Sequence, residues 1–372
     1  MKLPVSGIEP PPEDSPRPEK AATAAVARID DSDPRRANAQ ARRSIAGGAG
    51  GLSLVFEEAT TALGKGLPAR EETIATVLDG IALDGLTLRM DAHPGSRLAA
   101  GWLVSHLAAR KADPARLSLS LGIDPAAVFA RTGRLNMSVE ALKASMPQSL
   151  VHFFAMGVPG VLLEADGRVF HNAGATPAQE IGAALAIASG HLKLFEQARQ
   201  ALVYAAPHIG FALGAEADGT AFAAKAEAVR RLWAQMLAGR SIEPGAVHIH
   251  AETAPGLPAT RATLAGAGVA GHAGSLSVAA GDGDEALRLA LAVAGRPAQT
   301  QPGESFEALV ETLCEAGRAE FLAIEREGGI LDSLAAGLLQ GRIFAAAGRT
   351  APEITPCAAG DGATCVPLDP LA

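Results

Sequence analysis

The chain has 372 residues and a formal net charge of −8, and 48% of its residues are hydrophobic. That length allows one large domain or two ordinary ones, and the apolar fraction supplies an ample core. The acidic charge is spread along the chain, which argues against a nucleic-acid-binding protein. Aromatic residues make up only 4%, so small residues fill most of the core, as suits helices packed on a parallel sheet.

The three cysteines, Cys314, Cys357 and Cys365, are not at metal-finger spacing. An odd, sparse set indicates a reducing compartment without a disulfide framework, although a Cys357–Cys365 disulfide remains an alternative. The N-terminus lacks a basic start followed by an apolar core, and no apolar run is long enough to span a bilayer. We therefore expect a cytoplasmic protein.

Composition divides the chain into three parts. Residues 1–27 carry Pro10-Pro11-Pro12, Pro16 and Pro18 among charges, and such a segment buries too little apolar surface to order itself. We predict that it is a disordered arm. Residues 28–347 alternate between strand and helix patterns, and residues 348–372, rich in Pro, Gly and Ala, are predicted to form an irregular tail.

The alternating part predicts a closed barrel. A polar lead-in and helix over 28–44 precede the predicted first strand, and the remaining strands and helices follow in turn. The predicted strands are 52–56, 86–90, 117–121, one near 161, 209–213, 246–251 and 275–278. The predicted helices are 71–78, 97–110, 139–151, 176–202, 221–237, 260–267, 286–293, 307–326 and 331–344. About eight such units in one chain imply an α/β fold of the (β/α)8 TIM-barrel type.

The unit at 161–202 has the strongest local signals. Thr176 suits an N-cap, Pro177 the first helical position, and Gln179 the third, which together predict a capping box. Apolar residues recur at helical spacing beyond them, and Glu180 is expected on another face. His171 and Asn172 are expected in the loop before this helix.

Ordered motifs resemble those of the methylmalonyl-CoA mutase family. The motifs are Phe170 to Glu180 with its Ala-Gly-Ala, GGAGGLSLVF at 47–56, His250-Ala251-Glu252-Thr253, and a late helix with Gly328-Gly329. The resemblance covers about residues 30–350. It implies an isomerase of propionate metabolism that interconverts methylmalonyl-CoA and succinyl-CoA by means of adenosylcobalamin, which supplies the radical.

Departures from the family pattern indicate the small, non-catalytic type of subunit. Arg35-Arg36 stands in place of a Thr-Met-Arg stretch and a tyrosine, Gly122-Ile123-Asp124 in place of Gln-Asn-Asp, and His208 in place of a carboxylate-binding arginine. The resemblance implies a further domain that ligates cobalt. We expect no such domain after residue 350, and Asp91-Ala92-His93-Pro94-Gly95 only approximates its loop. We expect a heterodimer with a large catalytic subunit, adenosylcobalamin bound in that complex rather than by this chain alone, and an acyl-CoA as a candidate ligand.

Candidate site residues are the polar side chains near strand ends, where barrel enzymes place their chemistry. By resemblance, His250 would donate to the substrate thioester carbonyl, although Glu252 replaces the family's glutamine. His171, Asn172 and His208 are candidates for substrate binding, and no metal site is expected. The strand-end set is Asp91, His93, Asp124, Glu164, Asp166, His171, His208, His248 and His250.

Two alternatives remain open at this stage. One is a catalytic barrel subunit that uses a separate cobalamin-binding chain. The other is a metal-dependent barrel hydrolase, because His248-Ile249-His250 places two imidazoles on one side of a strand and Asp91 with His93 repeats that spacing.

Overall fold

A computed structural model describes residues 23–62, 64–113, 116–216, 218–255, 258, 269–279, 283–294, 303–350 and 363–370. Eight parallel strands close into a barrel in chain order, because β1 pairs with both β2 and β8. The predicted (β/α)8 barrel is confirmed. The strands are β1 (Ala24–Ile29), β2 (Gly51–Leu54), β3 (Thr87–Met90), β4 (Ser118–Ile123), β5 (Val161–Asp166), β6 (Ile209–Ala215), β7 (Ile249–Thr253) and β8 (Ser275–Ser277).

Helices surround the barrel and connect its strands. Those described up to β6 are α1 (Pro34–Ala46), α2 (Glu71–Val77), α3 (Ser96–Ala109), α4 (Pro125–Thr132), α5 (Val139–Ala155), α6 (Arg168–Asn172), α7 (Pro177–Gln197) and α8 (Leu202–Ala205). Those described after it are α9 (Gly219–Ala238), α10 (Gly283–Ala294), α11 (Glu304–Arg326), α12 (Ile330–Ala335) and α13 (Leu338–Ala346).

The first strand lies earlier than predicted. β1 begins at Ala24, inside the segment 1–27 that was predicted to be disordered, and the predicted first strand is β2. The physical reason is closure: β1 hydrogen-bonds to β2 on one side and to β8 on the other, which satisfies backbone groups that a seven-stranded sheet would leave at two edges. Residues 1–22 lie outside the described residues.

The other predicted elements largely agree with the structure. All seven predicted strands overlap observed strands. The predicted helix 331–344 is two helices, because Gly337 adopts φ 71° between them. The predicted helix 260–267 lies outside the described residues, while α4, α6 and α8 were not predicted. His171 and Asn172 are in α6, not in a loop.

Helix α7 is the most deeply buried of the described helices. The Thr176–Gln179 capping box is formed in both directions, as predicted. Helix α11 crosses α7 at a pair of glycines: a Cβ on Gly317 would lie 2.6 Å from Ile181 Cγ2, and one on Gly182 would lie 2.5 Å from Glu320 Cβ. Because α11 covers its outer face, α7 is enclosed between the barrel and a second helical layer.

Part of the C-terminal tail packs on the barrel. The amide of Cys365 donates to Gly133 O at 2.8 Å, and that of Leu368 donates to Ala130 O at 2.7 Å. Cys365 is a buried free thiol, which does not support the alternative disulfide with Cys357, a residue outside the described ranges. Among the described residues, no helix has the length and apolar character needed to cross a membrane.

Gly122 offers a test of the barrel geometry. It has φ 58° beside an irregular β4–β5 register, and a Cβ there would lie 2.0 Å from Met90 O. We expect Gly122→Ala to lower the free energy of unfolding by about 3 kcal/mol or more, since backbone strain adds to a backbone clash. Gly157→Ala is the matched control, with φ 62° and open space, and should cost about 1 kcal/mol. Urea unfolding measures both variants. If Gly122→Ala and Gly157→Ala lower the free energy of unfolding equally, the described β3–β4 packing is contradicted.

Candidate functional site

The interior of the barrel is polar. Strand residues alternate between the barrel interior and the helical layer. The outward positions are apolar, as at Leu52, Leu54, Leu88 and Met90, all of which are buried. Barrel interiors are more often filled by Val, Ile and Leu. Here the side chains that meet inside are Arg28, Ser53, Arg89, Ser120, Glu164, His250, Glu252, Ser275 and Ser277.

Arg168 lies at the centre of this interior. Its guanidinium is 2.8 Å from Asp166 Oδ1 through Nε, 3.3 Å from Asp91 Oδ1 through Nη2, and 3.4 Å from Glu252 Oε1 through Nη1. The side chain is 1% exposed. Although burial opposes its charge, Asp166, Asp91 and Glu252 raise the pKa of Arg168 well above its usual value. The side chain is therefore a fixed internal cation.

Two further arginines extend the network across the barrel. Arg28 Nη1 is 3.0 Å from Glu252 Oε2, and Arg89 Nη2 is 2.7 Å from Glu164 Oε2. Burial alone would raise the pKa of Asp91, but Arg168, Arg89 and Arg28 outweigh it and hold that pKa well below its usual range. Three guanidinium groups thus face four carboxylates, those of Asp91, Glu164, Asp166 and Glu252.

Hydroxyl and amide groups complete the coordination of the carboxylates. Ser53 and Thr61 donate to Asp91, and Thr60 donates to Asp166 Oδ2 at 3.0 Å. Asp124, directly after β4, accepts from the amides of Ala126, Ala127 and Asp166. Burial raises the pKa of Asp124 to about 8, although these three amides oppose the shift.

His250, the predicted catalytic histidine, is enclosed in the same interior. Its Nδ1 is 2.8 Å from Ser275 Oγ and its Nε2 is 3.1 Å from Ser277 Oγ. Ser277 donates its own proton to Glu252 Oε2 at 2.6 Å, so Nε2 of His250 is the donor to Ser277. Burial, together with Arg89 and Arg168, lowers the pKa of His250 well below its usual value. Both ring nitrogens are therefore already hydrogen-bonded.

His171 belongs to a separate ionic cluster beyond the carboxyl ends of β5 and β6. Its Nδ1 is 3.2 Å from Glu180 Oε2, and its ring lies so close to Gly214 that a Cβ there would be 2.2 Å away. Lys225 Nζ is 2.5 Å from Glu180 Oε2 and also contacts Glu216. Glu180 was expected on a face other than the apolar one, and these partners explain its complete burial.

This cluster has the donor set of a metal site but already contains a cation. Ligand atoms of His171, Glu180 and Glu216 lie within 4.8 Å of one another. The Lys225 ammonium binds both carboxylates and Gly214 O, at 2.6 Å from the last, and is fully buried. Although burial opposes it, Glu180 and Glu216 raise the pKa of Lys225. Lysine thus supplies the charge that a metal ion would bring.

The remaining predicted site residues do not join either cluster. Asn172 is half-buried at the end of α6. His208 and His248 precede β6 and β7, so both lie at the amino ends of their strands, and their expected placement at carboxyl ends is wrong. His208 Nδ1 donates to Gly160 O at 2.6 Å. His250, His171 and His208 therefore occupy three different places.

His93, in the loop that approximates a cobalt-ligating motif, is buried. Its ring stacks on Phe56 with centroids 4.7 Å apart, and its Nδ1 is 3.2 Å from Asp91 O. Only 2% of the residue is exposed, and burial lowers the pKa of His93 to about 4. The cavity that His93 lines has a volume of about 150 Å³. A corrinoid is far larger, so the residues of the loop do not fit cobalamin.

The metal-dependent alternative also lacks a common site. His248 is exposed just before β7, outside the barrel interior that contains His250. Asp91 is surrounded by arginines and hydroxyls and does not share one cavity with His93. The two His-X-His and Asp-X-His pairs therefore do not form one ligand set among the residues the structure describes.

A large cavity lies at the carboxyl ends of β1 and β2. Its volume is about 1220 Å³, and its lining carries both signs of charge. Some of its cations already have partners: Arg36 is 2.9 Å from Asp31, and Arg131 is 2.7 Å from Asp369. The cavity is thus separate from the predicted site residues, none of which lines it.

The sequence contained a signal for the missed arginines. Arg28 and Arg89 each stand in the middle of a strand between apolar neighbours, as Ala27-Arg28-Ile29 and Leu88-Arg89-Met90. A strand of a closed barrel is buried on both faces, so a charged residue flanked by outward apolar residues must point inside. Arg168 had no comparable local signal.

Removal of Arg168 tests the network. Arg168→Met should lower the free energy of unfolding by about 3–5 kcal/mol, because it leaves Asp166 and Asp91 buried without their central cation. Arg36→Met is the control: its side chain is 67% exposed and pairs with Asp31 at the surface, so urea unfolding should change little. A loss for Arg168→Met as small as that for the control would show that the interior is hydrated rather than ion-paired.

His191 tests the pH dependence of stability. Its Nε2 donates to Glu164 O at 3.0 Å, and burial lowers its pKa to about 4. Between about pH 6.5 and pH 4 the unfolded state binds a proton that the folded state does not, so stability falls as pH falls. The variant His191→Gln retains a hydrogen-bond donor but does not titrate. Its unfolding free energy should therefore change with pH less steeply, by about 1.4 kcal/mol per pH unit. Urea unfolding from pH 7 to 4.5 measures it, with exposed His152→Gln as the control; an unchanged slope contradicts the burial of His191.

Comparisons with known proteins agree with the barrel. A family model described as methylmalonyl-CoA mutase matches residues 25–301, beginning within β1. A methylmalonyl-CoA mutase small subunit from Streptomyces virginiae is 30% identical over 343 residues, which cover 84% of this chain and 53% of that protein. Probable methylmalonyl-CoA mutase small subunits from Mycobacterium bovis and Mycobacterium tuberculosis H37Rv are 30% identical over 319 residues, which cover 76% of this chain and 50% of theirs. The chain spans about half the length of these relatives. The chain belongs to the methylmalonyl-CoA mutase family, and the relatives it matches are small subunits.

Proposed function

We propose that the chain is the small subunit of a cobalamin-dependent acyl-CoA mutase and that its role is structural or regulatory. The observation that carries this proposal is the buried Arg168 at the centre of the barrel, paired with Asp166, Asp91 and Glu252. These groups satisfy one another. A rearrangement site must instead present groups to a substrate and exclude water around it.

The state of His250 supports the same conclusion. A histidine that stabilises charge on a thioester oxygen must present a free N–H to it. Both nitrogens of His250 are held by Ser275 and Ser277, and its pKa is lowered by burial and by the nearby arginines. We therefore assign His250 to the internal network, and His171 to the Lys225 cluster.

The proposed partner is the large catalytic subunit of the mutase, which would hold adenosylcobalamin and the substrate. The names of the relatives support a larger partner chain, and the buried His93 supports placing the cofactor outside this chain. When bound in the complex, adenosylcobalamin supplies the radical. The small number of cysteines in the chain, with Cys314 and Cys365 as free thiols, supports a cytoplasmic location.

A second candidate is a catalytic barrel subunit that borrows a separate cobalamin-binding chain. The cavity of about 1220 Å³ at the carboxyl ends of β1 and β2 favours it, because barrel enzymes bind substrates at that end and the volume suits a large ligand. The two functions differ in whether this chain itself binds acyl-CoA.

Mixing experiments test the proposed function. Adding the chain to the large mutase subunit of the same organism should raise the mutase activity and the melting temperature of that subunit. The expected stabilisation is about 2.7 kcal/mol when the chain is at a hundred times its Kd. The isolated chain should show no heat of binding with methylmalonyl-CoA or adenosylcobalamin at 100 μM, roughly the range of ordinary substrate affinities.

Each result has a distinct meaning. Binding of methylmalonyl-CoA by the isolated chain, with activity restored by a separate cobalamin-binding chain, supports the second candidate. A large subunit whose activity and melting temperature are unchanged by the chain, with no joint species in size-exclusion chromatography, contradicts both the partner and the role.

A further inference from the structure

A cavity of about 220 Å³ lies in the helical layer, outside the barrel interior. It is bounded by α4, α5, α7 and the turn from α11 into α12. Two glycines on its lining leave room in it. A Cβ on Gly190 of α7, or on Gly329 of the turn, would meet no atom within 4 Å. The cavity is therefore a space that the side chains of these helices do not fill.

The walls of this cavity are mostly apolar. The larger apolar side chains on α5, α7 and α12 that line it are Leu142, Met146, Ile187, Leu194, Ile330 and Leu331. Two lysines also line it, and both are paired: Lys193 Nζ is 2.8 Å from Glu325 Oε2, and Lys143 Nζ is 3.3 Å from Asp332 Oδ2. Because the cations of the described lining already have partners, the walls favour a neutral, apolar occupant.

His191 lines the cavity and has one ring nitrogen without a partner. The residue is 3% exposed. Its Nε2 donates to Glu164 O of β5, and a carbonyl can only accept, so the neutral ring carries no proton on Nδ1. Burial lowers the pKa of His191 to about 4, which keeps the ring neutral near pH 7. No donor among the described residues reaches Nδ1, which is therefore an unused acceptor.

A second acceptor on the lining also lacks a donor. Glu325 Oε2 pairs with Lys193, but Glu325 Oε1 is buried and no group in the described chain donates to it. Most buried polar atoms in native proteins have a hydrogen-bond partner, so two exceptions on one cavity require an explanation. A water molecule would satisfy an acceptor but leave most of the apolar lining uncovered. An apolar molecule with its own N–H or O–H would meet both requirements.

We propose that this cavity, which we call the His191 pocket, binds a small, neutral, mainly apolar molecule with a hydrogen-bond donor, such as a phenol, and that His191 Nδ1 accepts from that donor. The size agrees, because an apolar cavity of about 150 Å³ in another protein holds benzene. The 220 Å³ here leave room for a ring and a polar substituent.

Occupancy of the His191 pocket would stabilise the folded chain by mass action. The ligand would contact α7, α5 and the turn between α11 and α12 at once, and would therefore fix the outer helices on one another. The pocket uses no side chain of the Arg168 network, because His191 contacts only the backbone oxygen of Glu164. The inference thus goes beyond the proposed function and does not depend on it.

Binding to the full chain is measured by ¹⁹F NMR with two probes, 4-fluorophenol and fluorobenzene, of which only the first has a donor. We expect 4-fluorophenol to bind with a Kd of about 1 mM, a weak affinity that suits so small a ligand. Fluorobenzene should bind about fivefold more weakly, because it makes no hydrogen bond to Nδ1.

Two helical glycines provide a matched pair of variants. Gly190→Met fills the pocket. Gly101→Met places the same side chain on α3, where a Cβ also meets no atom within 4 Å and where Gly101 lines none of the three cavities described. Both variants should keep or raise the melting temperature, since methionine is a better helix former than glycine. Gly190→Met should raise the Kd for 4-fluorophenol by at least about tenfold, and Gly101→Met by less than about twofold.

The role of His191 is tested with His191→Leu, which lacks the acceptor and should bind the two probes with equal affinity. If the folded variant still prefers 4-fluorophenol, or if the unchanged chain binds both probes equally, Nδ1 is not the acceptor. If 4-fluorophenol does not bind at about 10 mM, or binds Gly190→Met as tightly as the unchanged chain, the pocket is not a binding site. None of these measurements uses the large subunit, so either failure leaves the proposed function unaffected.

Discussion

Burial of the Arg168 guanidinium is the constraint on which the barrel interior depends. Removing an ion from water costs several kcal/mol even after the protein relaxes, and only close, well-oriented partners offset that cost. Arg168 requires Asp166, Asp91 and Glu252, and these carboxylates in turn require Arg28, Arg89 and the surrounding hydroxyls. The groups stabilise one another as a set, because any one left alone would be a buried unpaired charge.

The same requirement supports the proposed structural or regulatory role. Barrel enzymes place reactive groups at the carboxyl ends of strands, where Asp91, Asp124 and Asp166 stand here. In this chain those carboxylates accept from arginines, hydroxyls and backbone amides of the protein itself. Residue types suited to chemistry at the right positions are thus not sufficient evidence of an active site. Their hydrogen-bond partners decide whether they are available.

The sequence predicted the features that depend on local pattern. The strands at 161 and 209 and the Thr176 capping box followed from apolar runs and cap residues a few positions apart. β1 was missed because its alanines give a weak strand signal beside a proline-rich segment, and its stability comes from pairing with β8, more than two hundred residues away. Long-range partners also explain the burial of Arg168 and Glu180. His248 was placed at the wrong end of its strand because β7 begins three residues later than predicted.

Pairing of buried charge also relates the two ends of the barrel. At the carboxyl end of β6, Lys225 neutralises Glu180 and Glu216, so a group with metal-ligand chemistry is stable without a metal. Residues 144–163 and 200–215, which lead into the amino ends of β5 and β6, contain no charged residue. A charge in the buried part of these stretches would need a partner, whereas apolar side chains need none. The chain therefore meets the same constraint in two ways, by internal pairing where its own side chains surround a charge and by absence of charge along these two stretches.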